Sequence, residues 1–152
     1  LKWPNDIVDS TGAKLAGVLI ETRGLKEDAP HYVAGFGVNL SRTAFPPELL
    51  AERPVTSLAL LGIESDAESA LAEILPELDA AIQQLEKSPN VLCSAFVERA
   101  GLYGREVEVK KLDQTVRGRL VDLNLETGLS LISSEGAQIK IPLEHVSGVR
   151  SV

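Results

Sequence analysis

Hydrophobic and polar positions change period twice along the chain. An apolar run of strand length opens at Lys14 and ends at Glu21, before Thr22-Arg23-Gly24, and a second runs from His31 to Leu40. With a turn expected at Asp28-Ala29-Pro30, the two predict neighbouring strands in a hairpin. Gly35 and Gly37 alternate with Phe36 and Val38. That leaves one strand face bare, either for close approach of another backbone or flat ligand, or for a bend or bulge. The stretch from Thr43 to Pro54 holds Pro46, Pro47 and Pro54 and reads as a loop with one helical turn around Glu48 to Ala51.

From Ser65 the period lengthens. Leu71, Ile74, Leu75, Leu78, Ile82 and Leu85 recur at helical intervals, and Ser65 with Glu68 makes a capping-box pattern,. The spacing predicts an amphipathic helix of about five turns, with a kink or break at Pro76 because proline removes a backbone donor. A second helix is expected from about Val91 to Arg99, with Leu92, Phe96 and Val97 inward and Gly101 ending it,. After Gly104 short alternating runs take over: Val107 with Val109, Val116 with Leu120, Leu129 with Leu131, and Ile139 with Ile141. Turns fall at Leu112-Asp113-Gln114, Glu126-Thr127-Gly128 and Ser134-Glu135-Gly136,. About four or five such strands predict a small barrel that closes its own edges, with a domain boundary near Leu102 to Gly104.

Composition narrows the class. At 152 residues and 44% hydrophobic content the chain can bury a core,. The absence of methionine and the opening Leu1 suggest an excerpt of a longer protein. A net charge of −7 without a dense cationic run argues against nucleic acid as the partner of this segment,. The single Cys93 forms no internal disulfide and reads as a small core residue in a reducing compartment,. No apolar stretch reaches the ~18 residues of a membrane span, and a cytoplasmic location is expected.

The candidate chemistry lies at the start. Trp3-Pro4 imposes an extended backbone, and Asn5 and Asp6 are residue types that bond to their own turn,. Lys14 heads an apolar strand, where its charge needs an anion, and Asp6 is the candidate partner,. A lysine so placed can hold a carboxylate against a phosphate and offset the charge that builds as they react. A nearby carboxylate can accept a proton from an incoming amine.

Three blocks, Lys2-Trp3-Pro4-Asn5-Asp6-Ile7, Lys14-Leu15-Ala16-Gly17-Val18-Leu19-Ile20-Glu21 and Gly35-Phe36-Gly37-Val38-Asn39-Leu40, resemble the biotin protein ligase (biotin–acetyl-CoA-carboxylase ligase) family in order and spacing. Phe45-Pro46-Pro47-Glu48-Leu49 and Val55-Thr56-Ser57-Leu58 also resemble that family, and the last fifty residues resemble its SH3-like carboxy-terminal domain. The resemblance implies an α+β fold. Residues 1–102 would be the carboxy-terminal part of the catalytic domain, a partial class-II-synthetase-like mixed sheet with helices, and residues 103–152 a small SH3-like β-barrel. It implies a ligase that activates biotin with ATP, using Mg²⁺, to biotinyl-5'-AMP and pyrophosphate. The biotinyl group then passes to a lysine of a biotin carboxyl carrier domain. By the same resemblance Lys14 contacts the biotin carboxylate and the α-phosphate, Asp6 assists the acceptor lysine, and Asn39 bonds the adenine edge. Asn5, Gly17 and Gly35 lie against the intermediate, and Lys2 and Trp3 frame the pocket. No metal-ligating residue is assigned.

The family's Gly-Arg-rich loop precedes the Trp-Pro-Asn-Asp block, and the Gly-Arg pairs here are Gly104-Arg105 and Gly118-Arg119, inside the expected barrel. The chain alone is therefore expected to be inactive. The alternative is a non-catalytic binding or dimerisation module, with a second copy as partner. A nucleic-acid-binding barrel fits less well, since Arg105, Lys110, Lys111, Arg117 and Arg119 are mixed with Glu106, Glu108 and Asp122, and Tyr103 is the segment's aromatic residue,. Arg117 and Arg119 are instead expected to help present ATP or the carrier.

Overall fold

The structure is a computed structural model that describes residues 1–24, 31–112 and 114–152. The turn expected at Asp28-Ala29-Pro30 and the Asp113 position of the Leu112 turn lie outside the described residues. The fold is α+β, with two antiparallel sheets and three α-helices among the described residues. Its elements group into two compact units: residues 2 and 4–72, and residues 1, 3 and 73–152.

In the first unit, β1 (Asp6–Val8), β2 (Lys14–Arg23) and β3 (His31–Val38) form a sheet in chain order. The predicted hairpin of β2 and β3 is present, with Gly17 opposite Gly37 and Leu19 opposite Gly35. The short β1 carries no alternation to announce it; it pairs with β2 with Asp6 opposite Gly17 and a bulge where Val8 meets Lys14. Helix α1 (Pro47–Glu52) occupies the expected turn after the paired prolines, with Pro47 in its first turn, where a missing N–H costs nothing,. The unit buries little: Ala13, Ala16, Thr56 and Ser57 are covered, whereas Leu19, Ile20, Tyr32, Val33 and Phe36 are exposed.

Helix α2 (Ala67–Lys87) runs through Pro76, so of the kink or break expected there the break does not occur. Its amino terminus is capped one residue later than the sequence pattern indicated. The Ser69 amide donates to Asp66 Oδ1 at 2.8 Å, so Asp66, not Ser65, is the residue that satisfies a free helical N–H. No described helix is long and apolar enough to cross a membrane.

The second unit holds the core. Helix α3 (Pro89–Arg99) buries Cys93 and Val97 and stops at Gly101, whose φ of 64° only glycine takes without strain,. Strands β4 (Glu106–Lys111), β5 (Gln114–Asn124), β6 (Gly128–Ile132), β7 (Gln138–Ile141) and β8 (Val146–Ser151) form one sheet in the order β7-β6-β5-β4-β8. Val107, Val109, Leu120, Leu129, Leu131 and Ile141 are at most 1% exposed and make its centre, with Cys93 and Val97 in the same cluster. Burying each such side chain favours folding by about 1.5–3 kcal/mol. The expected edge closure does not occur: among the described residues no ladder joins β7 to β8. A single-turn 3-10 helix (Leu143–His145) redirects the chain after β7, and β8 pairs with β4 instead.

Candidate functional site

Residues at the start of the first unit are tied back on themselves. The Lys2 and Asp6 backbones exchange hydrogen bonds of 2.8 and 3.0 Å, which closes the Trp3-Pro4-Asn5 turn that proline favours,. Asn5 then anchors that turn to β2. Its Nδ2 donates to the Val18 carbonyl at 2.6 Å, and its own carbonyl accepts from the Val18 amide at 3.0 Å. A second turn brings β1 back to β2. Asp9 Oδ1 accepts from the Thr11 amide and hydroxyl at 2.8 and 2.7 Å and from the Ala13 amide at 3.0 Å. The Thr11 hydroxyl in particular holds the Asp9 carboxyl below its usual range.

These two turns bring Asp6 and Lys14 together. Lys14 Nζ donates to Asp6 Oδ1, and both side chains are about four-fifths shielded from solvent (25% and 18% exposed). The pair is thus a charge-assisted hydrogen bond in partly desolvated surroundings. The Lys14 backbone is fixed from the other side by a parallel bridge to Val55: its amide donates to the Pro54 carbonyl and its carbonyl accepts from the Thr56 amide, both at 2.9 Å.

Beside the pair opens a depression of about 480 Å³, lined by Asn5, Lys14, Gly17, Val18, Leu19, Gly35, Phe36 and Gly37. The cross-strand register explains it. Gly17 sits opposite Gly37 on neighbouring strands and Gly35 lies two residues along, so three missing side chains fall together,. A β-carbon on Gly17 would stand 3.0 Å from Lys14 Nζ and 3.3 Å from Asp6 Oδ1, so the ion pair occupies space that glycine leaves open. The arrangement presents one ammonium group and one carboxylate at the edge of a shallow, largely apolar surface. It can bind an anionic group beside a flat or apolar body.

Of the residues singled out from sequence, Asn5, Asp6, Lys14, Gly17 and Gly35 come together here. Asn39 stands apart from the lining: its Nδ2 donates to the Thr56 carbonyl at 2.9 Å, and its amide to the Leu15 carbonyl at 3.0 Å. Lys2 is exposed and contributes backbone bonds. Trp3 groups with the second unit, where its ring meets Phe96 edge-on at 5.7 Å. Val18, Leu19, Phe36 and Gly37 complete the lining without having been assigned a role. Their signal was the hairpin register, which alternation alone leaves free to slip.

No protein-family model matches the chain. It is 33% identical to the bifunctional ligase/repressor BirA of Escherichia coli (strain K12) over 87 residues, 57% of this chain and 26% of BirA. To the BirA of Salmonella typhimurium it is 32% identical over 87 residues, covering 27% of that protein. The chain spans about a quarter of the length of these curated relatives. Among solved structures, its fold matches biotin protein ligase from Aquifex aeolicus in complex with biotin and ATP at a TM-score of 0.72. That match has 24% identity and covers 100% of this chain and 62% of that one. The apo form of the Aquifex enzyme gives 0.69 at 25% identity, covering 100% and 65%. Over 57% of its length the chain is homologous to BirA, and its fold matches that of biotin protein ligase from Aquifex aeolicus.

Proposed function

We propose that the chain supplies part of the active site of a cytoplasmic biotin protein ligase, in which biotin and ATP give biotinyl-5'-AMP and the biotinyl group passes to a lysine of a carrier domain. The observation that carries this reading is the Lys14 and Asp6 pair at the edge of the glycine-lined depression. A relative solved with biotin and ATP supports both as substrates. In this reading residues 1–102 are the carboxy-terminal part of the catalytic domain and residues 103–152 the SH3-like domain.

In the first step a biotin carboxylate oxygen bonds to the α-phosphorus of ATP and pyrophosphate leaves. The Lys14 ammonium lies between the two anionic reactants, offsets their repulsion and stabilises the charge on the phosphoryl oxygens. Gly17, Gly35 and Gly37 let the flat part of the intermediate approach the backbone. Asn39, its side-chain Nδ2 committed to the Thr56 carbonyl, offers its side-chain Oδ1 to the adenine amino group. In the second step the acceptor amine attacks the acyl carbon, AMP leaves, and Asp6 takes the proton released by the amine. Among the described residues no group of three His, Cys, Asp or Glu side chains is gathered into a metal cage. The described residues therefore do not make a Mg²⁺ site.

The test is titration of biotinyl-5'-AMP into the chain, together with biotin-dependent ATP–pyrophosphate exchange. Binding is expected, weakened about tenfold or more by Lys14→Ala, which corresponds to about 1.4 kcal/mol or more. No exchange is expected from this chain alone. Absence of binding, or equal binding by the variant, refutes the site, and exchange by the pure chain refutes the inactivity.

A binding or dimerisation role is favoured by one observation, the exposure of Leu19, Ile20, Tyr32 and Val33 on β2 and β3,. In that reading a second copy covers the hairpin. Sedimentation showing a dimer dispersed by Ile20→Lys would support it, and a monomer at all concentrations would exclude it.

A further inference from the structure

Residues 103–152 contain seven Lys and Arg against seven Asp and Glu, so the chain's net charge of −7 arises wholly in residues 1–102. Within this balanced segment the cations are segregated. Register places Glu106 opposite Arg119 and Glu108 opposite both Arg117 and Arg150, while Lys110 faces Thr115 and Gly148. One face of β4, β5 and β8 therefore carries Lys110, Arg117, Arg119 and Arg150 with two glutamates.

Glu108 organises that face. Its side chain is 7% exposed, and its Oε2 accepts from Arg117 Nε and Nη2 at 3.1 and 2.8 Å, while its Oε1 accepts from Arg150 Nη2. A single buried carboxylate thus fixes two guanidinium groups close together, although their like charges repel. Both arginine side chains remain about 70% exposed (69% and 72%), and neither guanidinium spends its Nη1 donors on Glu108. Two adjacent, pre-oriented forks with free N–H groups match carboxylates bidentately.

We infer that this face is a docking surface for an acidic polypeptide segment of a partner protein, whose carboxylates engage Arg117 and Arg150. Three observations favour a polypeptide over a nucleic acid. Strand β8 is a sheet edge, so unpaired backbone groups run beside Arg150, and an extended peptide can pair with them,. Strands β4, β5 and β8 hold no aromatic residue on which a base could stack,. The remaining net charge of the chain repels a long polyanion while leaving a short acidic segment local access. The inference does not depend on the ligase reading.

The test uses the whole chain, with a fluorescein-labelled oligoglutamate and a labelled single-stranded oligonucleotide of equal charge, followed by anisotropy at low salt. The peptide is expected to bind, with affinity about tenfold lower in Arg117→Glu with Arg150→Glu, and to release as salt rises. If that variant does not fold, Lys110→Glu with Arg119→Glu, which leaves the Glu108 cluster intact, carries the same expectation. No binding of the peptide, equal binding by folded variants, or tighter binding of the oligonucleotide overturns the inference. So does self-association of the chain that these same substitutions remove.

Discussion

Gly128 and Gly136 both have a φ of 82° and both close turns in the second unit, yet replacing each by alanine should have very different consequences. At Gly136 a β-carbon meets nothing within 4 Å, so the substitution adds only the left-handed backbone strain. That strain is about 1–2 kcal/mol, partly offset by a less flexible unfolded chain, for a net of about 1 kcal/mol. At Gly128 the same β-carbon would overlap the Ile141 carbonyl oxygen and stand 2.7 Å from its carbon and 2.8 Å from Pro142 Cα. These are backbone atoms of the neighbouring strand β7 and its exit, so no side chain can rotate away. Overpacking of this kind adds about 1–3 kcal/mol, which brings Gly128→Ala to about 2–4 kcal/mol, a large part of the ~5–15 kcal/mol that stabilises a domain. Trp3, the chain's only tryptophan, packs on Phe96 within the same unit and reports its unfolding by fluorescence. With a urea slope of about 1 kcal/mol per molar, Gly128→Ala should lower the midpoint by about 2 M or more and Gly136→Ala by about 1 M. Equal shifts in the two variants would refute the argument, because the backbone overlap is all that separates them.

At the site, Gly17→Ala should leave stability within about 1 kcal/mol, since the crowded Lys14 side chain is flexible and can yield. It should nonetheless weaken biotinyl-5'-AMP binding several-fold; unchanged binding in a titration would remove Gly17 from the site. Glu108 is held below the usual carboxylate range, first by its hydrogen bonds from Arg117. Its stabilising contribution is therefore complete above the unfolded value of about 4.3 and is lost as pH falls through the lower folded value. Urea midpoints measured below pH 4.5 should fall less steeply in Glu108→Gln than in the parent, and parallel curves would contradict this. Burial raises the Cys93 thiol above its normal value, so a thiol reagent should label it at the rate of unfolding; immediate labelling of the folded chain would count against its place in the core.

Much of the local architecture follows from sequence pattern. The alternation in β4 to β7 and the core position of Cys93 depend on side chains meeting one buried surface, and that periodicity is written into the chain, as is the helical period from Leu71 to Leu85, although α2 buries none of its residues,. The pairing of Asp6 with Lys14 was legible for a related reason, since a lysine heading an apolar strand needs an anion and the turn that follows Trp3-Pro4 offers the Asp6 carboxylate, while the nearer Asp9 is taken up by its own turn. Tertiary structure decided what has no periodic signature. Strand β8 buries only Val149, and it exists because β4 offers it an edge. Pro76 stays inside α2 although local propensity disfavours it. Asp66 caps α2 in place of Ser65, because a cap is set by where the first helical N–H groups point. Glu108 looks in sequence like a solvated strand residue, yet it is buried because Arg117, nine residues on, and Arg150, forty-two residues on, converge on it. The depression beside Lys14 likewise required the register that sets Gly17 against Gly37. Local sequence fixes period and turn, whereas register and long-range charge pairing emerge only when distant segments compete for the same neighbours.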